Sequence, residues 1–203
     1  MTLSIWLTVV TICLLGAMSP GPSVALVLKH TLNSGRRQGL ITAISHGTAV
    51  GIYALLSVLG LVAIIATSPL LFHGIQWAGA AYLAWLGVQG LRAQSQIVNA
   101  NAPVSSSKDA ARDGFLMAFL NPKAAVFFLA LFSQVVTINT PFSAKLIYAI
   151  TAMIVDMSWY MCVAWLFSRP LWLRLLSKHI GKVERAFGVI LILLALQIVY
   201  SNL

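Results

Sequence analysis

The chain has 203 residues, of which 60% are hydrophobic and only 8% charged, and it carries a formal net charge of +9; its mean hydropathy is +0.91. This is far more apolar surface than a soluble domain of this length can bury, so the composition excludes that class and assigns an integral membrane protein. The basic residues are divided among short segments that flank apolar stretches, a pattern that membrane topology explains and nucleic-acid binding does not, with anionic lipid headgroups as the expected partners.

Six apolar spans are expected in chain order: Leu3 to Leu28, Leu40 to Ala66, Leu70 to Leu91, Phe115 to Val136, Ala144 to Phe167 and Ala186 to Tyr200. Each is near the ~20 residues that cross ~30 Å of hydrocarbon as a helix. The chain opens Met1-Thr2-Leu3-Ser4-Ile5 without a basic region, and the apolar stretch runs on past residue 20. The first span is therefore expected to stay in the membrane rather than be removed as a signal peptide. The one long polar connection, 93–112, holds Ser95, Asn99, Pro103 and Ser105-Ser106-Ser107 and reads as a flexible linker. It separates a first three-helix unit, residues 1–92, from a second, residues 113–203.

Two of the spans are interrupted, the first by Ser19-Pro20-Gly21-Pro22 and the fourth by Asn121-Pro122. Proline removes a donor from the helical ladder and leaves peptide groups unpaired where lipid cannot satisfy them, so such a break belongs beside a cavity. Pro20 and Pro122 are 102 positions apart, Leu40 to Ser45 matches Leu146 to Thr151 at four of six positions with an offset of 106, and Gly79 matches Gly188 at 109. A drifting register between two halves of three spans each predicts inverted repeats, an architecture of secondary transporters. The expected fold is thus all-α, with six transmembrane helices and the first and fourth broken at their prolines. Lys29, Arg36 and Arg37 flank the first connection, Arg92, Lys108 and Arg112 the third, and Arg169, Arg174, Lys178, Lys182 and Arg185 the fifth, eleven of the thirteen basic residues. The positive-inside rule places these connections in the cytoplasm and both termini outside.

A charge within a span costs several kcal/mol and marks a functional candidate. Asp156 and Lys123 fit that description; at ~1.5 Å rise per residue they lie ~17 and ~12 Å from the cytoplasmic ends of their spans, close enough to be expected as one site. A buried ion pair that only fixes packing is the alternative. His46 reads either as a proton relay facing a cavity, with Tyr53 further along the helix, or as a histidine hydrogen-bonded within the bundle. Trp159 and Tyr160 follow Asp156 at helical spacing and either wall the cavity or pack between helices. Gly47 and Gly51 permit a close helix contact, within one chain or across a homodimer. The two cysteines, Cys13 and Cys162, read as small apolar packing residues. A metal-ion exporter would need several ligands at one depth, where the spans offer Asp156, His46 and scattered cysteines; an intramembrane enzyme would need a motif such as His-Glu-x-x-His, which is absent from the sequence. A passive channel is the remaining alternative, since it too can use broken helices.

Met18-Ser19-Pro20-Gly21-Pro22, the stretch from Gly79 to Gly87, Asn121-Pro122-Lys123-Ala124, and Asp156 followed by Trp159 and Tyr160 together resemble the LysE superfamily of exporters, and more closely its homoserine and threonine efflux (RhtB) branch. The resemblance covers nearly the whole chain. It implies export of a small amino acid or derivative across the inner membrane of a bacterium, coupled to protons and without a prosthetic group or metal. The residues then take roles. The free amides after Pro20-Gly21-Pro22, at the positive end of a half-helix, would receive the substrate carboxylate, with Ser19, Asn121 and Pro122 beside them. Asp156 would bind the substrate ammonium or the coupling proton, and Lys123 would hold Asp156 ionised. One acid and one base balance a zwitterion better than a dication, which favours neutral amino acids.

Overall fold

The structure is a computed structural model that describes residues 2–19, 21–92, 105–168 and 170–201; Pro20 and residues 93–104 of the expected linker lie outside them. The described residues form α1 (Leu3–Met18), α2 (Pro22–Ser34), α3 (Arg36–Thr67), α4 (Pro69–Arg92), α5 (Ser107–Phe119), α6 (Pro122–Phe132), α7 (Phe142–Phe167) and α8 (Pro170–Ser201). α3 and α7 are each long and apolar enough to span a membrane alone, with mean hydropathies of 2.5 and 1.6. α1 with α2, and α5 with α6, meet that test as pairs bent by 61° and 51°. Large apolar side chains such as Leu56, Ile154, Leu193 and Leu196, each more than half exposed, cover the outer surface of the bundle. In water they would be a liability; in lipid they are the matching solvent. The chain is a multi-pass membrane protein.

Each element starts where the sequence supplies a helix-initiating device. Proline occupies the first position of α2, α4, α6 and α8, where its missing N–H costs nothing and its fixed φ suits a helix. Asn121 caps α6 by accepting from the Lys123 amide at 2.9 Å. Gly35, at φ +93°, closes α2 and opens α3, a left-handed conformation that glycine alone adopts freely. α5 begins at Ser107, earlier than its hydropathy indicates, because Ser106 and Asp109 form a reciprocal capping box that nucleates a helix whatever the polarity of its first turn. Ser107 to Arg112, expected in the linker, are therefore helical. α8 likewise begins at Pro170, well before the apolar stretch that opens near Ala186.

α3 and α7 pack most extensively against one another and form the centre of the bundle, and α4 pairs with α8. Small residues make both approaches close. A Cβ on Gly47 or Gly51 would lie 2.7 or 2.9 Å from the Cβ of Met157 or Met153, so the Gly-x-x-x-Gly stripe is used inside the chain. Gly87 and Gly188 bring α4 and α8 to backbone contact in the same way. Among the polar ties between residues 1–92 and 105–201, Ser45 of α3 donates to the Ala111 carbonyl of α5 at 2.6 Å, and Trp6 of α1 donates to the Thr151 hydroxyl of α7 at 3.0 Å. Ser45 and Thr151 are the last residues of the matched hexapeptides.

Candidate functional site

The breaks between α1 and α2 and between α5 and α6 face one cavity of about 70 Å³ in the middle of the bundle, with Asp156, His46, Lys123 and Tyr160 in its wall. At about 15 Å³ per water centre this is room for roughly five waters, or ~150 Å³ of liquid, the size of a small amino acid. Elements distant in sequence supply the groups. α2 opens with Gly21, Pro22 and Ser23 on the cavity, α6 with Asn121, Lys123 and Ala124, α3 contributes His46 and α7 contributes Asp156 and Tyr160.

Asp156 is 8% exposed and His46 4%, and they meet Oδ2 to Nδ1 at 2.7 Å. The other ring nitrogen of His46 lies 3.0 Å from the Ser23 hydroxyl, and the Tyr160 ring packs edge-on against the imidazole with centroids 4.8 Å apart. Asp156, His46 and Ser23 therefore form a continuous hydrogen-bonded chain that reaches the start of α2. With Asp156 ionised, the imidazole donates from Nδ1 and accepts the Ser23 hydroxyl proton at Nε2; a second proton on the ring converts Nε2 to a donor toward Ser23 Oγ.

Lys123 does not hold Asp156. Among the described residues the acid–base contacts within 4.0 Å are His46 with Asp156 and His30 with Asp113. Lys123 instead crosses from the start of α6 to the first break and donates to the Ser19 hydroxyl at 2.7 Å; a Cβ placed on Gly21 would lie 3.9 Å from its Nζ. The expected single Asp–Lys pair is replaced by two polar groups, because His46 approaches Asp156 from α3 while the capped start of α6 aims Lys123 at the α1–α2 break. The two half-helix starts differ in one respect. The first free amide of α6 is occupied by its own Asn121 cap, whereas α2 has glycine at the cap position and no side-chain cap. Proline at its first position has no N–H, and the Ser23 amide finds no acceptor among the described residues at the positive end of α2.

Ser19, Gly21, Asn121, Lys123, His46, Asp156 and Tyr160 come together in this wall, and Pro22 with them. Pro122 instead faces a neighbouring groove beside Leu26 and Asp113, and Pro20 lies outside the described residues. Tyr53 packs against Phe119 and Phe128, behind the cavity wall that Phe128 forms, and does not line the cavity itself. Trp159 packs beside Val27, Leu28 and Ala43, and its indole N–H is buried without a hydrogen-bond partner. Sequence reasoning missed the Ser23 hydroxyl, whose signal was its place just after Pro22, and the cavity position of Cys13, which reads in sequence as ordinary packing.

A bundle of apolar helices, two pairs of them bent at prolines around a small cavity that holds separate acidic and basic groups, has the features of the membrane-transporter class. The family model described as LysE type translocator matches residues 14–202, and the chain belongs to that family. It is 31% identical to the homoserine/homoserine lactone efflux protein of Salmonella typhimurium over 95% of each chain. It is also 31% identical to the threonine efflux protein of Escherichia coli, over 94% of this chain and 98% of that one. A further relative, the uncharacterized membrane protein YahN of Escherichia coli, is 27% identical over 91% of this chain and 84% of its own length. No solved structure matches the chain.

Proposed function

We propose that the protein is a secondary exporter of small, neutral amino acids or their derivatives in the bacterial inner membrane, driven by proton antiport, with both termini on the outer side. The observation that carries this reading is the division of charge in the central cavity. The uncapped start of α2 and the Lys123 ammonium offer a site for the substrate carboxylate, while Asp156, hydrogen-bonded to His46, offers one for the substrate ammonium. A zwitterion matches both ends; a dication would leave Lys123 facing a like charge. Efflux of homoserine and homoserine lactone is named for one relative and of threonine for another, and Ser19, Ser23 and Tyr160 supply hydroxyl-bearing side chains in the cavity wall for a hydroxylated substrate.

Coupling follows from competition at Asp156. Substrate ammonium binds when the Asp156 and His46 pair has given up its extra proton, and a proton from outside displaces the ammonium when the cavity faces outward. The same carboxylate thus serves both fluxes in turn. The exchange of polar ties between halves, Ser45 to α5 and Thr151 to α1, and the equivalent prolines opening α2 and α6 support six spans arranged as two inverted repeats.

The test is uptake of labelled amino acids into inside-out vesicles under an imposed pH gradient. Gradient-driven accumulation of a neutral amino acid by the wild type, absent in Asp156→Asn, is expected. Accumulation that is full in Asp156→Asn overturns the role of Asp156, and no gradient-dependent uptake by folded wild type overturns the exporter reading in favour of a channel or metal-ion path.

A further inference from the structure

A second cavity of about 40 Å³ lies between α1, α6 and α8, with Leu83 of α4 in its wall, at the end of the bundle away from the basic loops. It continues the central one along all three helices. On α1 the central cavity is lined by Cys13, Gly16 and Ser19 and the second by Thr8 and Ile12; on α8, Leu191 gives way to Leu194 and Gln197. On α6, Lys123 and Ala124 face the central cavity and Ala130 and Leu131 the second, with Gln134 just past the helix end beside them. Phe127 alone among the described residues lines both. Its ring is 8% exposed and lies against Gly16, where an added Cβ would fall 2.5 Å from the ring tip. α1 touches α6 and α8 only sparsely, and Thr8, Gln134 and Gln197 at the far end are exposed. Three polar side chains thus stand at the far end of a mostly apolar cavity, and the ring of Phe127 alone separates that cavity from the central one.

We infer that Phe127 is the outer gate of the central cavity, that the second cavity is the exit station for the released amino acid, and that the absent side chain at Gly16 gives the ring room to turn. The plug is a χ1 rotation of one aromatic residue. It needs no rearrangement of the tightly packed α3–α7 centre, and rotamer changes are fast beside helix movements. The ring also limits what passes: a substrate that clears the gap between Gly16 and α6 leaves, and a bulky one is held back. The identity of the cargo rests on the exporter reading; the plug itself does not.

Accessibility separates the two. In a background of Cys13→Ser and Cys162→Ser, the sole thiol is introduced as Ala124→Cys, in the central cavity at the start of α6, where the helix dipole favours the thiolate. A membrane-impermeant thiosulfonate is applied from the face that carries Thr8 and Gln134. Adding Phe127→Ala is expected to raise the labelling rate about tenfold or more, the effect of removing ~1.4 kcal/mol of access barrier. Phe128→Ala removes an equal ring that lines only the central cavity and is expected to leave the rate unchanged; Phe127→Val guards against misfolding of the alanine variant. Unchanged labelling in both Phe127 variants overturns the gate, as does an equal rise in Phe128→Ala, which would mean general loosening. In vesicles, Phe127→Ala should also let larger amino acids compete for export. Wild-type vesicles that move no amino acid, together with a Phe127-dependent labelling rate, would retain the gate and reject the exporter reading.

Discussion

Lys123 shows how little the presence of two opposite charges says about their partnership. Its side chain leaves α6 from a capped N-terminus, where the Asn121 carboxamide fixes the backbone, and it ends on Ser19 rather than on Asp156. In the proposed mechanism it faces an anion bound at the α2 start, so Lys123→Gln is expected to weaken substrate binding by the ~1.5–3 kcal/mol typical of a charge-assisted hydrogen bond, about 10- to 150-fold in KM for uptake. The Ser19→Ala change, which removes only a neutral partner, should cost far less. His46 makes the complementary prediction. It lies 2.7 Å from Asp156 and 3.0 Å from Ser23, so His46→Gln keeps a hydrogen-bonding side chain but cannot bridge both partners as the two ring nitrogens do. Uptake by His46→Gln should persist at a lower rate, measured in the same vesicles at constant gradient.

Among the elements, the glycines divide into those that close a contact and those that do not. Gly47→Ala and Gly51→Ala would drive a methyl group into Met157 and Met153, overpacking that costs about 1–3 kcal/mol. Gly60 on the same helix has nothing within 4 Å, and Gly60→Ala should be neutral or stabilise by up to ~1 kcal/mol through helix propensity. Thermal unfolding of the three variants in one detergent checks the contrast. The start of α5 is a second case. Ser106→Ala removes the N-cap and is expected to cost about 1 kcal/mol, read by the same measurement. Asp109 is held below the ordinary carboxylate range by the Ser106 hydroxyl and then by the Ser106 backbone N–H. Because its folded-state pKa is depressed, the stabilisation it contributes is present above the usual carboxylate range and fades as pH falls through the lowered value. The Ser106→Ala difference should accordingly shrink in acid.

For the whole molecule, the apolar exterior and the asymmetric loops make a topological prediction. In a cysteine-free chain, a thiol at Thr140, in the connection before α7, should react with an impermeant reagent from outside, and one at the exposed Arg37, at the start of α3, only after the membrane is opened. The reverse pattern would invert the proposed orientation and with it the direction of the exit path. Much of this was legible in the chain itself. Hydropathy located α3 and α7, prolines located the starts of α2 and α6, and the in-span charges named Asp156 and Lys123, since each of these is a local cost that lipid makes visible. Ring neighbours were not legible: Tyr53, Trp159 and Tyr160 sit at similar helical spacings, yet only Tyr160 faces the cavity, because which side of a helix is inward depends on the neighbours it packs against.

Composition, prolines and loop charge by themselves determined that the chain is helical, enters the membrane several times and breaks two spans beside a cavity, because backbone satisfaction and charge burial in lipid are decided residue by residue. Only the tertiary structure decided that His46 rather than Lys123 holds Asp156, that the Gly47 and Gly51 stripe is used within the chain, and that Phe127 stands between two chambers. Those facts depend on which helices become neighbours and at what rotation, and interhelical packing leaves no local signal in the sequence.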